Sequence, residues 1–170
     1  MIEPIKSEQQ QCVLDRTEYF MLEAEKVFGR KFKRIPVLFD LRGTTAGMYK
    51  VHGKRRWIRY NPWIFSKYFE ANWRDTVPHE VAHYIIDIAF GRRAKPHGVE
   101  WKTLMARFEA DPGVTFKLDL SGIPKRQQRT HPYHCLCQIH QVSTTRHNRV
   151  IRGRGRYHCR SCEGELVYAG

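Results

Sequence analysis

Apolar residues recur at helical spacing over roughly residues 5–28, where Val13, Leu14, Tyr19, Phe20, Leu22, Val27 and Phe28 stand among charges and Gly29 supplies a stop. Shorter strand-like runs follow at Pro36–Leu41, Ala46–His52 and Arg56–Tyr60, with His52-Gly53-Lys54 as a hairpin turn. Asn61-Pro62 predicts a helix N-cap with proline at the first helical position, and that helix runs to about Phe69. Val77, Val81, Ile85 and Ile88 then mark the apolar face of a further helix, which the chain leaves at Gly91. Pro78 falls in its first turn or at a kink beside it, and the pattern leaves both open. Trp101–Phe108 predicts a short helix ending before Asp111-Pro112-Gly113.

The opposite face of the Val77–Ile88 helix carries His79-Glu80-Val81-Ala82-His83. At ~100° per residue, His79 and His83 sit one turn apart on one side, close enough to bind one zinc ion. Glu80 is displaced by only ~100° and can take a proton from a water on that ion. Patterns with three fixed positions also recur by chance, so a third ligand matters, because a catalytic zinc site takes three protein ligands and keeps one position open. Pro96-His97-Gly98-Val99-Glu100-Trp101 follows, with thirteen residues between His83 and His97. Flanked by Pro and Gly, His97 lies in a turn that can return its ring to the helix. Ile86 and Ala89 occupy the places where the short metzincin spacing needs Gly and His. His97 is the first choice for third ligand, and Glu100 is its rival, since a carboxylate serves in thermolysin-like sites. The plainer readings are a loop histidine capping the next helix and a first-turn charge on it.

Between Leu120 and Pro132 the composition turns polar and basic, with proline at both ends, which divides the chain into residues 1–120, a linker at 121–132 and a module at 133–170. That module holds Cys135-Leu136-Cys137 and Cys159-Arg160-Ser161-Cys162, separated by 21 residues rich in β-branched and basic types. Two such pairs let two hairpins close a tetrahedral structural zinc site, a zinc ribbon. The C-x-C pair is tight, and His134, His140 or His147 could replace one of its thiolates. A redox-active C-x-x-C is the competitor, but nothing around it resembles a thioredoxin βαβ unit. With few apolar residues in the module, metal binding would supply much of its stability. Cys12, alone on the first helix, reads as a small apolar residue.

Charge adds a partner. The chain has 30 Lys+Arg against 17 Asp+Glu, a net +13, and Leu120–Gly170 holds nine of the former and two of the latter. This favours an anionic partner such as DNA over a merely solvated basic surface. Arg146, Arg149, Arg152 and Arg154 cluster with His147, Asn148 and Arg156 in the loop between the cysteine pairs, where guanidinium groups suit phosphate oxygens. Tyr133 and Tyr157 either stack on unpaired bases or fill the ribbon core. Lys54–Arg59 is a second basic stretch. No apolar run approaches the ~20 residues of a membrane span. Met1–Cys12 contains no apolar signal core, so a soluble cytoplasmic protein is the expectation.

The order of these motifs, His79-Glu80-Val81-Ala82-His83, then Pro96-His97-Gly98-Val99-Glu100-Trp101, then C-x-C and C-x-x-C, resembles the SprT-like family of zinc metalloproteases. Arg146-His147-Asn148-Arg149-Val150-Ile151-Arg152-Gly153, and Arg42-Gly43-Thr44-Thr45-Ala46-Gly47 followed by Asn61-Pro62, resemble its bacterial branch. The resemblance runs from about residue 35 to 167. It implies an α+β fold, with a minimal zincin-like domain of helices and a small three-stranded sheet followed by the β-rich zinc ribbon. It also implies that His79, His83 and His97 bind a catalytic zinc and that Glu80 is catalytic, beside the structural zinc of Cys135, Cys137, Cys159 and Cys162. The eukaryotic relative Spartan is a DNA-dependent protease acting on proteins crosslinked to DNA. A zinc metallopeptidase acting on proteins near or on DNA is therefore expected, with substrate adding along an edge near Thr45–Tyr49. The alternative is a nucleic-acid-binding zinc protein whose zincin domain is a non-catalytic scaffold, which would have no need of Glu80.

Overall fold

The first helix, α1 (Ser7–Phe28), stops where Gly29 takes the left-handed backbone, φ 62°, that releases a helix C-terminus. In this computed structural model, which describes residues 2–113, 118–124 and 129–170, the chain forms two units, Met1–Lys125 and Arg126–Gly170. One stripe of α1, Val13, Thr17, Phe20, Met21 and Ala24, is buried, whereas Tyr19, Leu22 and Val27 lie outside it in solvent. Cys12 is exposed rather than part of the core; its carbonyl accepts the Trp73 indole N–H.

Three strands follow: β1 (Val37–Leu38), β2 (Gly47–His52) and β3 (Arg55–Tyr60). Their order is β1-β3-β2, with β1 parallel and β2 antiparallel to β3, so β2 is an edge strand. Of the expected run Pro36–Leu41, Val37 and Leu38 form the ladder with β3, flanked by backbone hydrogen bonds from Ile58 N to Pro36 O and from Leu41 N to Tyr60 O. Beyond β3, Asn61 caps α2 (Pro62–Lys67), its side-chain oxygen accepting from Trp63 N and Ile64 N. The short α3 (Phe69–Ala71) leads into a π-helical turn, Asn72–Thr76, and then into α4 (Val77–Phe90). Val77 N–H bonds back five residues to Asn72 O. This wide turn comes immediately before Pro78, which lacks an amide and whose ring crowds a regular turn, so both expected readings of Pro78 meet in one place.

Helix α4 is the centre of the unit, and Val77, Val81, Ala82, Tyr84 and Ile85 are buried among α1, the sheet and α5 (Val99–Arg107). Ile88, expected on the same stripe, is 37% exposed. The buried part of α4 ends at Ile86, and the Tyr84 hydroxyl donates to Lys33 O at 2.6 Å. Ile123, inside the expected linker, is buried with Ala46 and Ile64. The linker residues Lys125-Arg126-Gln127-Gln128 lie outside the described residues.

In the second unit β4 (Thr130–His134) and β5 (Ile139–Ser143) form a hairpin, and β6 (Val167–Tyr168) pairs with β4 on its other side. The expected basic loop is instead a helix, α6 (Thr144–Ile151). Packing decides it: the His147 ring lies flat on His131, 3.7 Å between centroids, and its Nδ1 meets the Tyr133 hydroxyl at 3.1 Å. Tyr133 is fully buried in the core of the second unit, where it cannot stack on a base. No helix among the described residues is long and apolar enough to cross a membrane.

Glu25 ties α1 to the segment before β1. Its buried carboxylate accepts from Phe32 N at 3.0 Å, from Lys31 Nζ at 3.0 Å and from Arg34 Nη1. The Phe32 amide, then the Arg34 and Lys31 side chains, lower its pKa from 4.5 to about 2. A carboxyl with a lower pKa folded than unfolded stabilises above its unfolded value and loses that contribution as pH falls through the folded one. Glu25→Gln is therefore expected to lower the urea midpoint at neutral pH, with the gap to wild type closing as pH falls from 4.5 to about 2. A gap that stays constant over this range would show that the stabilisation is not tied to the charge.

Candidate metal centre and its surroundings

His79 and His83 stand one turn apart on α4, and a turn beyond that helix returns His97 to them. The three Nε2 atoms lie 2.9–3.1 Å from one another. Nitrogens bound to one tetrahedral ion at ~2.0–2.1 Å stand ~3.3 Å apart, so the spacing fits a shared metal. Burial lowers all three pKa values, to about 4 for His79 and about 3 for His83, with neighbouring rings adding to the effect at both. Neutral imidazoles are the form that binds a cation. His97 reaches its place at a backbone cost, with φ 56° in a turn closed by Gly98 N–H to Lys95 O at 2.9 Å. Glu100 is not one of the converging ligands; its carboxylate lies near Gly98.

Trp101, buried on α5, packs against all three imidazoles at centroid distances of 4.7–5.5 Å, and its indole N–H faces His79 O at 3.4 Å. Such a wall fixes ring orientation. Glu80, 6% exposed, accepts the Tyr49 backbone N–H at 2.6 Å. Burial pushes its carboxyl up to about 7 while the Tyr49 amide pulls the other way. Gly47 makes this approach possible, because a Cβ there would stand 2.6 Å from Thr76 Cγ2 and 2.7–2.8 Å from Glu80. The open side is a cleft of about 590 Å3 lined by Thr45, Gly47, Thr76, His79, Glu80 and Asp111 among others. Sequence reasoning placed Thr45–Tyr49 at the substrate edge but missed the Tyr49 contact with Glu80, and missed Thr76 and Trp101 as parts of the site. Tyr49 acts there through a backbone amide, which no side-chain pattern reports.

In the second unit the four sulfurs of Cys135, Cys137, Cys159 and Cys162 all lie within 4.8 Å of one another. Cys135 and Cys137 are 3.4 Å apart and Cys137 and Cys159 3.6 Å, close to the ~3.8 Å between sulfurs sharing one tetrahedral zinc. The tight C-x-C therefore delivers both of its sulfurs. The backbone N–H groups of Cys162 and Ser161 hold the Cys159 thiol down to about 5. Cys137 is pushed the other way by the sulfurs of Cys135, Cys162 and Cys159. Thiolates so close repel unless a cation stands among them, and this donor set fits zinc. His140 Nε2 lies 3.3 Å from Cys135 Sγ, beside the cluster, while His147 is engaged by Tyr133 and His131. Arg146 and Arg149 project from α6, Arg152 follows at its C-terminus, and all three are exposed together with Arg154. Arg146 rests over the half-buried Tyr157 ring at 5.5 Å.

His97→Ala is expected to weaken metal binding by more than the ~10–100-fold typical of losing an outer partner, whereas Glu100→Ala should stay within that range. Competition titration with a chromogenic chelator measures both. Near-normal affinity in His97→Ala beside a collapse in Glu100→Ala would reverse the ligand assignment.

The SprT-like family model matches residues 17–120, the stretch that contains all three histidines and Glu80. Over nearly the whole chain the similarity extends to curated relatives named Protein SprT. That of Salmonella arizonae is 36% identical over 162 residues, covering 95% of this chain and 94% of its own. That of Shewanella oneidensis is 35% identical over 161 residues, 94% of this chain and 99% of its own. That of Escherichia coli is 36% identical over 159 residues, 93% of each. With α+β architecture, a three-histidine cluster and a four-cysteine cluster all set within that span, the chain belongs to the SprT-like family.

Proposed function

We propose that this protein is a zinc-dependent metallopeptidase with a zincin-like catalytic unit, acting on proteins near or on DNA. The observation that carries the reading is the convergence of three histidine nitrogens beside a buried carboxylate at an open cleft. His79, His83 and His97 would hold a zinc ion, which would supply Lewis acidity towards water and a peptide carbonyl. Glu80 takes the proton of the attacking water and returns it to the leaving amine. The Tyr49 amide and the Gly47 gap hold that carboxylate in place, so proton transfer needs no search among rotamers. β2 is an edge strand next to the cleft, and its outward groups other than the Tyr49 N–H, which Glu80 holds, offer a substrate backbone a strand to pair with. In the second unit a structural zinc on the four cysteines stabilises the ribbon, and Arg146, Arg149, Arg152 and Arg154 contact phosphates.

Glu80→Gln is nearly isosteric and lacks only the basic oxygen. It is expected to keep the fold and bind two zinc ions while hydrolysis of a DNA-bound protein falls by ~100-fold or more, the scale of a lost general base. Activity retained in Glu80→Gln would remove Glu80 from the mechanism. Inactivity of a zinc-loaded wild type under the same conditions would favour the scaffold reading.

If the ribbon arginines neutralise phosphates, DNA affinity should fall steeply with salt. Replacing Arg149 and Arg152 with Ala is expected to reduce the slope of log affinity against log salt by roughly one to two units, at ~0.7–0.9 per phosphate. An unchanged slope in a folded, zinc-loaded variant would leave these arginines as surface charge alone.

A further inference from the structure

At the end of the sheet distal to Gly47, a groove of about 600 Å3 opens between the segment joining α1 to β1, the β2–β3 hairpin and the last turns of α4. One lip carries Arg30 and Lys33 and the other Lys54 and Arg55, all exposed. No carboxylate lines it among the described residues. Lys31, Arg34 and Arg56, which also line it, are already paired with Glu25, Glu18 and Asp87. Among the described residues none of Arg30, Lys33, Lys54 and Arg55 has a carboxylate within ion-pairing distance. Four uncompensated cations facing one cavity raise each other's energy and attract a polyanion.

The groove is also built in advance. The first lip is pinned to α4 by the Tyr84 hydroxyl on Lys33 O at 2.6 Å and by Arg30 on Ile88 O at 3.4 Å, and to α1 by Phe32 N–H on Glu25. Between the lips the lining is apolar: Ile35, Leu38, Trp57 and Ile88, with Leu38 40% and Ile88 37% exposed. Cations on two sides of an apolar, aromatic floor match a chain that carries one negative charge and one planar apolar face per unit. Duplex DNA would satisfy the cations and leave the floor empty, because its base faces are hidden in the stack.

We infer that this groove binds single-stranded nucleic acid, with phosphates on Arg30, Lys33, Lys54 and Arg55 and a base against Trp57. The site lies in the first unit on residues other than those of the histidine centre, and it requires neither peptidase activity nor DNA contact by the ribbon.

The test uses the full zinc-loaded chain carrying Arg149→Ala and Arg152→Ala, so that any ribbon contribution is reduced. Binding of fluorescein-labelled oligothymidylate is followed by anisotropy across a salt series, and an oligonucleotide containing 5-iodouridine maps the contact by photocrosslinking. Adducts are expected on residues 30–38 or 54–57. Lys54→Glu with Arg55→Glu should weaken binding about ten-fold or more at low salt and cut the salt slope by roughly one to two units. Trp57→Ala should lower single-strand affinity about five-fold or more, with Trp57→Phe recovering most of it and duplex affinity unmoved. If Trp57→Ala does not fold, the doubly charge-reversed hairpin, exposed at both positions, decides alone. The inference is overturned by crosslinks confined to other segments or by an unchanged affinity after charge reversal. Displacement of the oligonucleotide by a polyglutamate peptide at equal concentration would overturn it too, and would make the partner an acidic protein.

Discussion

The close approach of strand β2 to helix α4 at Gly47 is the constraint on which the first unit depends. A carboxylate and a backbone amide meet there in space that one methyl group would fill. Buried without a donor, Glu80 would carry a desolvation cost of several kcal/mol; the Tyr49 amide offsets part of it, and burial still prevails. The same bond occupies a donor on an edge strand, which lowers the hazard of that edge pairing with a stray chain. A second clamp holds the strand further along, where the Tyr49 hydroxyl and Arg56 both donate to Asp87 on α4. Strand and helix are thus tied at two points, beside the turn of α4 that carries His79 and His83.

What could be read from the chain beforehand divides by the range of the interaction responsible. His79, Glu80 and His83 are legible because their geometry is set inside one helix. The turn at His97 is legible from its proline and glycine neighbours. The choice between His97 and Glu100 is tertiary, settled by how the turn folds back onto α4. Trp101 gives no local sign of standing against three imidazoles, since any aromatic at the start of a helix looks the same. Helix α6 was hidden for a related reason. Its Thr, Val and Ile content and its arginines suit a loop or a strand, and only the seating of His147 on His131, Tyr133 and Tyr168 makes the helix the better solution.

The two candidate metal centres stand in opposite relations to their surroundings. His79 and His83 sit on a helix whose far side is locked into a core of aromatic and aliphatic residues from α1, β3 and α5, a core built without any metal ligand. The cysteines hang from turns in a unit whose buried apolar residues among those described are few, with Tyr133, Val142 and Cys159 the chief ones. An ion bound there would be thermodynamically one quantity with the fold, since binding energy is folding energy in such small modules.

His97 illustrates a conflict between durability and purpose. A left-handed backbone at a residue other than glycine costs on the order of 1 kcal/mol or more, and the surrounding turn sustains it. Glycine would relax that turn and make the empty polypeptide more durable. A screen rewarding thermal endurance alone would therefore discard the imidazole and keep a sturdier protein without its chemistry. Whatever retains histidine at this bend acts through the ring it presents and against the comfort of the backbone that presents it.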